Sequence, residues 1–191
     1  MVSCYTLEMA RNLDDYIVGF VDGEGCFAFS FRRDVRHERR TRKIYYSWKA
    51  MFVIELRSDD TSILILIQDR LKCGRITQSN QGRVARYQVA DLHDLQDKII
   101  PFFTAHVLIG KKGQDFLLWR EAVNILYTRK LKKVRQSRIG VRGFSTVPYS
   151  EGEIERLKEL YERMRPFKSV SAEKSRWISR EASRNAQYTG S

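Results

Sequence analysis

The sequence predicts one α+β domain whose elements run helix, two strands, helix, two strands, helices. Three observations carry that order. Apolar residues recur at helical spacing over 13–23. Segment 26–31 alternates apolar and polar with the period of a half-buried strand, and 46–57 reads as a second strand. Asn80-Gln81-Gly82 then separates two further short alternating runs, as a hairpin turn does. The 191 residues suit a single core, and no second copy of the unit is found along them.

Taken in order, the first helix places Leu13, Ile17, Phe20 and Val21 on one side, with Asn12 or Asp14 as its cap. Strand 26–31 turns Phe27, Phe29 and Phe31 inward and Ala28, Ser30 and Arg32 outward. A basic loop follows over 32–43, with Arg32, Arg33, Arg36, Arg39, Arg40, Arg42 and Lys43. Strand 46–57 presents Ala50, Phe52, Ile54 and Leu56 to the core and Lys49, Met51, Val53, Glu55 and Arg57 to the other face. Ser58 or Asp59 caps a helix over 61–71, which Gly74 follows. The hairpin pairs 75–79 with 83–90, and Asp91 caps a short helix that Pro101 breaks. Helix 111–127 carries Phe116, Trp119, Val123 and Leu126 on one side. Ser150 starts the last helix, 151–164, fronted by Ile154, Leu157 and Tyr161. Residues 1–165 form the expected domain and 166–191 a polar tail that Trp177 and Ile178 could dock.

Composition narrows the partner. Lys and Arg number 35 against 23 acidic residues, a net charge of +12 and a pI near 9.8. Such a surplus attracts polyanions, because neutralised phosphates release condensed counterions. The longest aliphatic run, Ile63 to Ile67, is far too short for a bilayer. The first residues lack the layout of a signal peptide. Three scattered cysteines, Cys4, Cys26 and Cys73, give neither a disulfide framework nor a zinc pair, so a reducing, intracellular setting is expected and secretion is not. His37, His93 and His106 have no ligand-like spacing. Tyr45, Tyr46 and Trp48 could stack on bases or pack in the core.

The stretch from Tyr16 to Phe27, YIVGFVDGEGCF, carries the chemistry. Gly19 and Gly23 stand one helical turn apart, and each costs about 1 kcal/mol in a helix interior relative to alanine. Close approach by a second helix gives them a purpose. Glu24 falls at the helix C-terminus, where the dipole favours cations. A carboxylate beside exposed backbone carbonyls is a set of hard oxygen ligands suited to Mg²⁺. The plainer alternative is a packing glycine, a Gly-Glu-Gly turn and a solvated carboxylate.

The run from Tyr16 to Gly25 resembles the LAGLIDADG motif, and the match extends beyond it. FVIELRSDD over 52–60, CGRI over 73–76, IPF over 100–102, and Lys111-Lys112 with Asp115, Phe116 and Trp119 follow in that family's order. The resemblance covers well over half of the chain. It implies an αββαββα fold with a four-stranded antiparallel DNA-binding saddle. It also implies a homing endonuclease that makes double-strand breaks, with single-motif chains acting as homodimers on long pseudo-palindromic sites. Residue by residue, Glu24 matches the acid that binds catalytic metals, and Gly23 the position whose carbonyl contributes. Gly19, Asp22 and Gly23 match the helix interface, with Asp22 in a structural role. Lys111 aligns with a basic residue near the scissile phosphate, or Lys112 if the alignment slips by one. Mg²⁺ is the implied cofactor, with Mn²⁺ substituting and Ca²⁺ binding without supporting cleavage. One departure is Leu56, where several relatives carry a water-positioning Gln; Glu55, Arg57 or Asp59 would have to serve instead.

Strand alternation supports DNA binding independently. With Phe27, Phe29, Phe31, Phe52, Ile54, Ile76, Tyr87 and Val89 inward, the other face shows Ser30, Arg32, Lys49, Arg57, Arg75, Thr77, Ser79, Arg86 and Gln88. These types reach base edges and phosphates from strands in a major groove. Arg33 and Arg83 flank that face, and the basic stretches 32–43 and 129–142 suit phosphate contacts. The competing reading is a non-catalytic nucleic-acid binder of the same fold, such as an intron RNA maturase or a transcription regulator.

Overall fold

Helix α1 spans Cys4–Glu24 and leads directly into strand β1, Gly25–Glu38. Strand β2 follows at Thr41–Arg57, then a 3-10 turn, Ser58–Asp60, and helix α2, Thr61–Leu71. Strands β3, Arg75–Gln78, and β4, Val84–Val89, make the hairpin. Helix α3, Leu92–Asp94, a π-helical turn, Leu95–Ile99, and helix α4, Ile100–Ala105, run on without interruption. Helices α5, Lys111–Arg135, and α6, Glu151–Arg163, complete the order. This computed structural model describes residues 4–38, 41–79, 81–135 and 149–164. The expected tail, with Trp177 and Ile178, and the basic residues of 136–142 lie outside the described residues, as do the side chains of 33–46.

The four strands form one antiparallel sheet in the order β1-β2-β4-β3. Cross-strand partners share a face, so the register sorts the residues. Phe52 opposite Val89, Ile54 opposite Tyr87 and Ile76, and Leu56 opposite Ala85 form the inner rows. Val53 with Gln88 and Arg75, and Glu55 with Arg86 and Thr77, form outer rows. At the turn Ser79 N–H donates to Val84 O (2.9 Å) and Gly82 N–H to Ser79 O (2.7 Å).

The chain divides into two compact units. The first joins Met1–Phe29 to Ala50–Tyr127. Its core centres on Phe27, whose ring lies 5.2–5.4 Å from those of Phe52, Phe103, Phe116 and Trp119. Trp119 Nε1 donates to Ala28 O (3.2 Å), which fixes α5 on β1. Tyr87 is buried with its hydroxyl donating to Cys73 O (3.0 Å), and burial pushes its pKa far up.

The second unit joins Ser30–Lys49 to Thr128–Ser191. Its core holds Trp48 against Phe31 (4.8 Å) and Tyr161 (5.7 Å), with Leu157 and Leu160 buried on α6. Trp48 is therefore a core residue. A capping box starts α6, Ser150 Oγ accepting from Glu153 N–H while Glu153 accepts from Ser150 N–H. The Arg129 guanidinium sits 3.2 Å over the Tyr149 ring; burial lowers the pKa of Arg129 and raises that of Tyr149.

Several expectations are corrected. Helix α1 starts at Cys4, well before Leu13, because Leu7, Glu8, Met9, Ala10 and Arg11 are strong helix formers without a one-sided apolar pattern. Asp14 lies inside the helix and caps nothing. The basic segment expected as a loop is strand on both sides, to Glu38 and from Thr41. Neither Ser58 nor Asp59 caps α2: the 3-10 turn intervenes, and the residue before the helix, Asp60, makes no side-chain cap. Met51 and Val53 on the outer face are buried, because β2 is central and both flanks are covered by neighbouring strands. Asp91 caps as expected, yet Pro101 breaks no helix. The wider π-helical turn ends just before it, and Pro101 enters the first turn of α4, where a missing N–H costs little. Finally α5 continues through 129–135.

Gly74 follows the left-handed Lys72 at the end of α2 with φ +76°. An added Cβ would lie 2.7 Å from Tyr87 Cε2 and 2.8 Å from Val89 Cγ2. Gly74→Ala is expected to destabilise the fold by about 1–3 kcal/mol, from backbone strain plus core displacement. Urea unfolding measures it, and an unchanged midpoint contradicts the tight approach.

Candidate active site

The C-terminal end of α1 is fixed by the residue that follows it. A Cβ on Gly25 would lie 2.5 Å from Val21 Cγ1 and 2.8 Å from Val21 O, so only glycine lets the chain turn from helix to strand there. Glu24 thereby stands exposed at the helix tip, with no hydrogen bond or ion pair to any described residue. Gly23, just before it, is also exposed.

Asp22 ties this tip to the segment that precedes α5. Its Oδ2 accepts from Ile109 N–H (3.1 Å) and Gly110 N–H (2.9 Å). Lys112 Nζ then donates to the Gly23 carbonyl oxygen. Lys111, the aligned residue, is exposed and adjacent, but Lys112 is the lysine brought to the tip. The signal for this was present in the sequence. Lys112 heads the i, i+4, i+7, i+11, i+14 row that continues through Phe116, Trp119, Val123 and Leu126, all buried. It must therefore point to the same side as the core, whereas Lys111 turns away.

The donors at the tip suit a hard divalent cation. Glu24 offers a carboxylate, Gly23 a carbonyl, and Asp22 Oδ1 is buried without a hydrogen-bond partner among the described residues. No group of three or more His, Cys, Asp and Glu side chains that could hold a metal occurs among the described residues.

In the first unit the outer rows place Arg75 and Thr77 of β3, both exposed, beside half-buried Gln88 and Arg86 of β4, and exposed Ser79 follows in the turn. Arg57 is exposed at the end of the same face, and Arg83, also exposed, lies just before β4, its carbonyl accepting from Ser58 N–H (3.1 Å). In the second unit Arg32 is exposed and Ser30 and Lys49 are half-buried; the Arg33 side chain lies outside what is described. Leu56 faces the core with Ile54, opposite Ala85. Glu55 and Arg57 alternate to the other face and are engaged, Glu55 with Arg86 (3.3 Å) and Arg57 with Asp59 (2.8 Å). The groups considered as substitutes for a water-positioning Gln are thus occupied, two of them on the opposite face.

A family profile described as LAGLIDADG endonuclease matches residues 17–123. The Probable intron-encoded endonuclease 2 of Neurospora crassa is 28% identical over 166 residues, which is 83% of this chain and 34% of that protein. Among solved structures, I-AabMI bound to uncleaved DNA superposes with a TM-score of 0.61 at 22% identity, over 87% of this chain and 48% of its own. I-SmaMI bound to cleaved DNA gives 0.53 at 25% identity, over 64% and 41%. I-SmaMI bound to uncleaved target in the presence of calcium ions gives 0.52 at 25%, over 63% and 41%. The chain spans about a third of that curated relative and under half of each solved protein. Among the described residues no helix is long and apolar enough to cross a membrane.

Proposed function

The chain belongs to the LAGLIDADG endonuclease family, and on that premise we propose that it is a site-specific, divalent-metal-dependent endonuclease that breaks both strands of DNA as a homodimer. The observation that carries this reading is the α1 tip: Glu24 exposed at its end, Gly23 beside it, and Lys112 drawn onto the Gly23 carbonyl. Residues 1–165 are the proposed DNA-binding and catalytic domain. The outer face of the sheet is the proposed contact with a major groove, β3 and β4 reading bases and the arginines holding phosphates.

Glu24 and the Gly23 carbonyl would hold Mg²⁺ or Mn²⁺. A cation held there supplies Lewis acidity at the phosphate and a water made acidic enough to attack it. Lys112 places a positive charge where negative charge gathers on the phosphate oxygens as the bond to the leaving oxygen breaks. With the Gly23 carbonyl engaged by a cation, Lys112 would be free to turn to a phosphate. Asp22 holds the segment that carries Lys112 and needs no direct part in the chemistry. Ca²⁺ is proposed to bind without supporting cleavage, in keeping with the calcium-containing uncleaved complex of I-SmaMI.

A second copy completes the site. One chain brings one Glu24, too few ligands for a cation and one tip for two strands. Gly19 and Gly23 lie on an open face of α1, where an added Cβ would meet nothing within 4 Å. An isologous pairing across that face brings two tips together.

Linearisation of a DNA made by joining the sequences that flank the gene, with Mg²⁺ and again with EDTA, tests the reading. Cutting that requires metal supports it. Tight binding without cutting under Mg²⁺ and Mn²⁺ supports instead the non-catalytic binder, a reading that Leu56 and the engaged Glu55 and Arg57 keep in play. Binding should also be steeply salt-dependent, log K falling with log[salt] by about 0.9 per phosphate contact. Replacing Arg32, Arg33 and Arg36 by Gln should flatten that slope by up to about 2.7 per protomer while leaving sequence preference in place. A shallow slope in the parent contradicts a phosphate-holding surface.

A further inference from the structure

We propose that His106, through the buried carboxylate of Asp14, is a positioning residue that sets the register of the segment delivering Lys112 to the tip of α1. This rests on the reading of Lys112 given above. Asp14 is 5% exposed and is the one buried charged side chain among the described residues. Arg70 of α2 meets it twice, Nε 2.7 Å from Oδ1 and Nη2 donating to Oδ2 at 2.7 Å. His106 Nε2 lies 3.4 Å from Oδ2, and its ring packs on Phe102 at 4.9 Å. The Arg70 guanidinium lies over that same Phe102 ring (5.7 Å). One carboxylate thus ties α1 to α2 and to the residue that ends α4.

The second anchor is Asp22, which holds the N–H groups of Ile109 and Gly110. Asp14 and Asp22 are eight residues apart on one helix, about 12 Å at 1.5 Å per residue. The four steps from His106 to Gly110 reach about 13–14 Å when fully extended. The segment between the anchors is therefore almost taut. It alternates as an extended chain must: Val107 is 72% exposed, Leu108 buried and Ile109 94% exposed. A taut segment has no slack to absorb a shift at one end. Loss of the His106 anchor lets the segment slide, and the amides of Ile109 and Gly110 then leave Asp22. Two residues further on, Lys112 loses its fixed start. Two β-branched apolar side chains, Val107 and Ile109, are otherwise left facing water, a conformation that the anchors must enforce.

His106 is partly exposed, so its replacement leaves the core intact. His106→Leu removes the contact; His106→Gln keeps an N–H donor at similar reach. Amide hydrogen exchange by NMR reads the segment without reference to cleavage. In His106→Leu the Ile109 and Gly110 amides are expected to exchange at least ten-fold faster at an unchanged melting temperature, and His106→Gln to restore parental exchange. Single-turnover cutting should fall about ten-fold in the Leu variant, with DNA affinity unchanged, and recover in the Gln variant. Should the Leu variant not fold, His106→Ala removes the same contact with no longer apolar side chain. Unchanged exchange at Ile109 and Gly110 overturns the proposal whatever the enzyme does. Faster exchange with parental cutting overturns its link to Lys112. A parent that fails to cut, with exchange still accelerated, removes the reading of Lys112 as a catalytic group and leaves the His106 anchor standing.

Discussion

Glu24→Gln is expected to lower DNA cutting by orders of magnitude and to leave DNA binding within a few-fold of the parent. The amide keeps the size of the side chain and loses the charge that, on the proposed reading, would hold a divalent cation at the α1 tip. Stability should move the other way. A carboxylate at a helix C-terminus faces the negative end of the dipole, so neutralising it stabilises the helix by about 0.3–1 kcal/mol. Glu24 has no described partner whose loss would offset that gain. Opposite signs for stability and activity distinguish a functional carboxylate from a solvated one. Plasmid linearisation, fluorescence anisotropy with labelled DNA, and urea unfolding read the three quantities. Normal cutting by this variant removes the metal site from the reading.

Gly19→Leu should produce a second reversal of sign. Beyond its own helix turn, no described residue lies within 4 Å of a Cβ at Gly19, so a side chain there starts out into open space. Helix propensity then makes the protomer more stable by roughly 0.5–1 kcal/mol. On the proposed homodimer reading, the return for that cost is an interface with a second chain. A leucine there wedges apart any helix laid against this face, so assembly is expected to fail at micromolar concentration, and double-strand cutting with it. Sedimentation velocity decides the point. A parent chain that remains monomeric yet breaks both strands would falsify the homodimer. A second repeat on a longer polypeptide would then be the natural partner for the same face.

Much of the fold was legible because its elements bury one side. The Phe27, Phe29 and Phe31 alternation, the Phe116 to Leu126 stripe and the Asp91 cap all describe apolar surface or orphan backbone groups that have one place to go. What the sequence did not reveal lacks such a signature. The first turns of α1 carry helix formers with no one-sided apolar pattern to announce them. The arginine-rich ends of β1 and β2 present no alternation, since successive residues there are polar. The motif draws attention to Asp22, Gly23 and Glu24 of α1, while Lys111 and Lys112 differ only in which side of α5 they occupy. Phase against Phe116 and Trp119 resolves that choice; similarity of residue type does not. The Asp14, Arg70 and His106 cluster joins positions far apart in sequence, and no local pattern announces it.

The wide turn Leu95–Ile99 and Pro101 constrain how this chain can drift over evolutionary time. A π-helical turn holds one residue more than the α-helical turn it replaces, so deletion of a single residue there would restore a regular helix. Regular geometry would carry Pro101 into a helix interior, with its ring against the carbonyl of the residue four positions back and a backbone bond lost, at about 3 kcal/mol or more. The deletion would also rotate α4 by about 100° relative to α3, one residue's share of a 3.6-residue turn. Phe102 and Phe103 would then leave the core and His106 would leave Asp14. Pro101 can be replaced on its own at little cost, whereas the extra residue cannot be deleted without repacking α4, so the length of this turn is the more tightly constrained of the two.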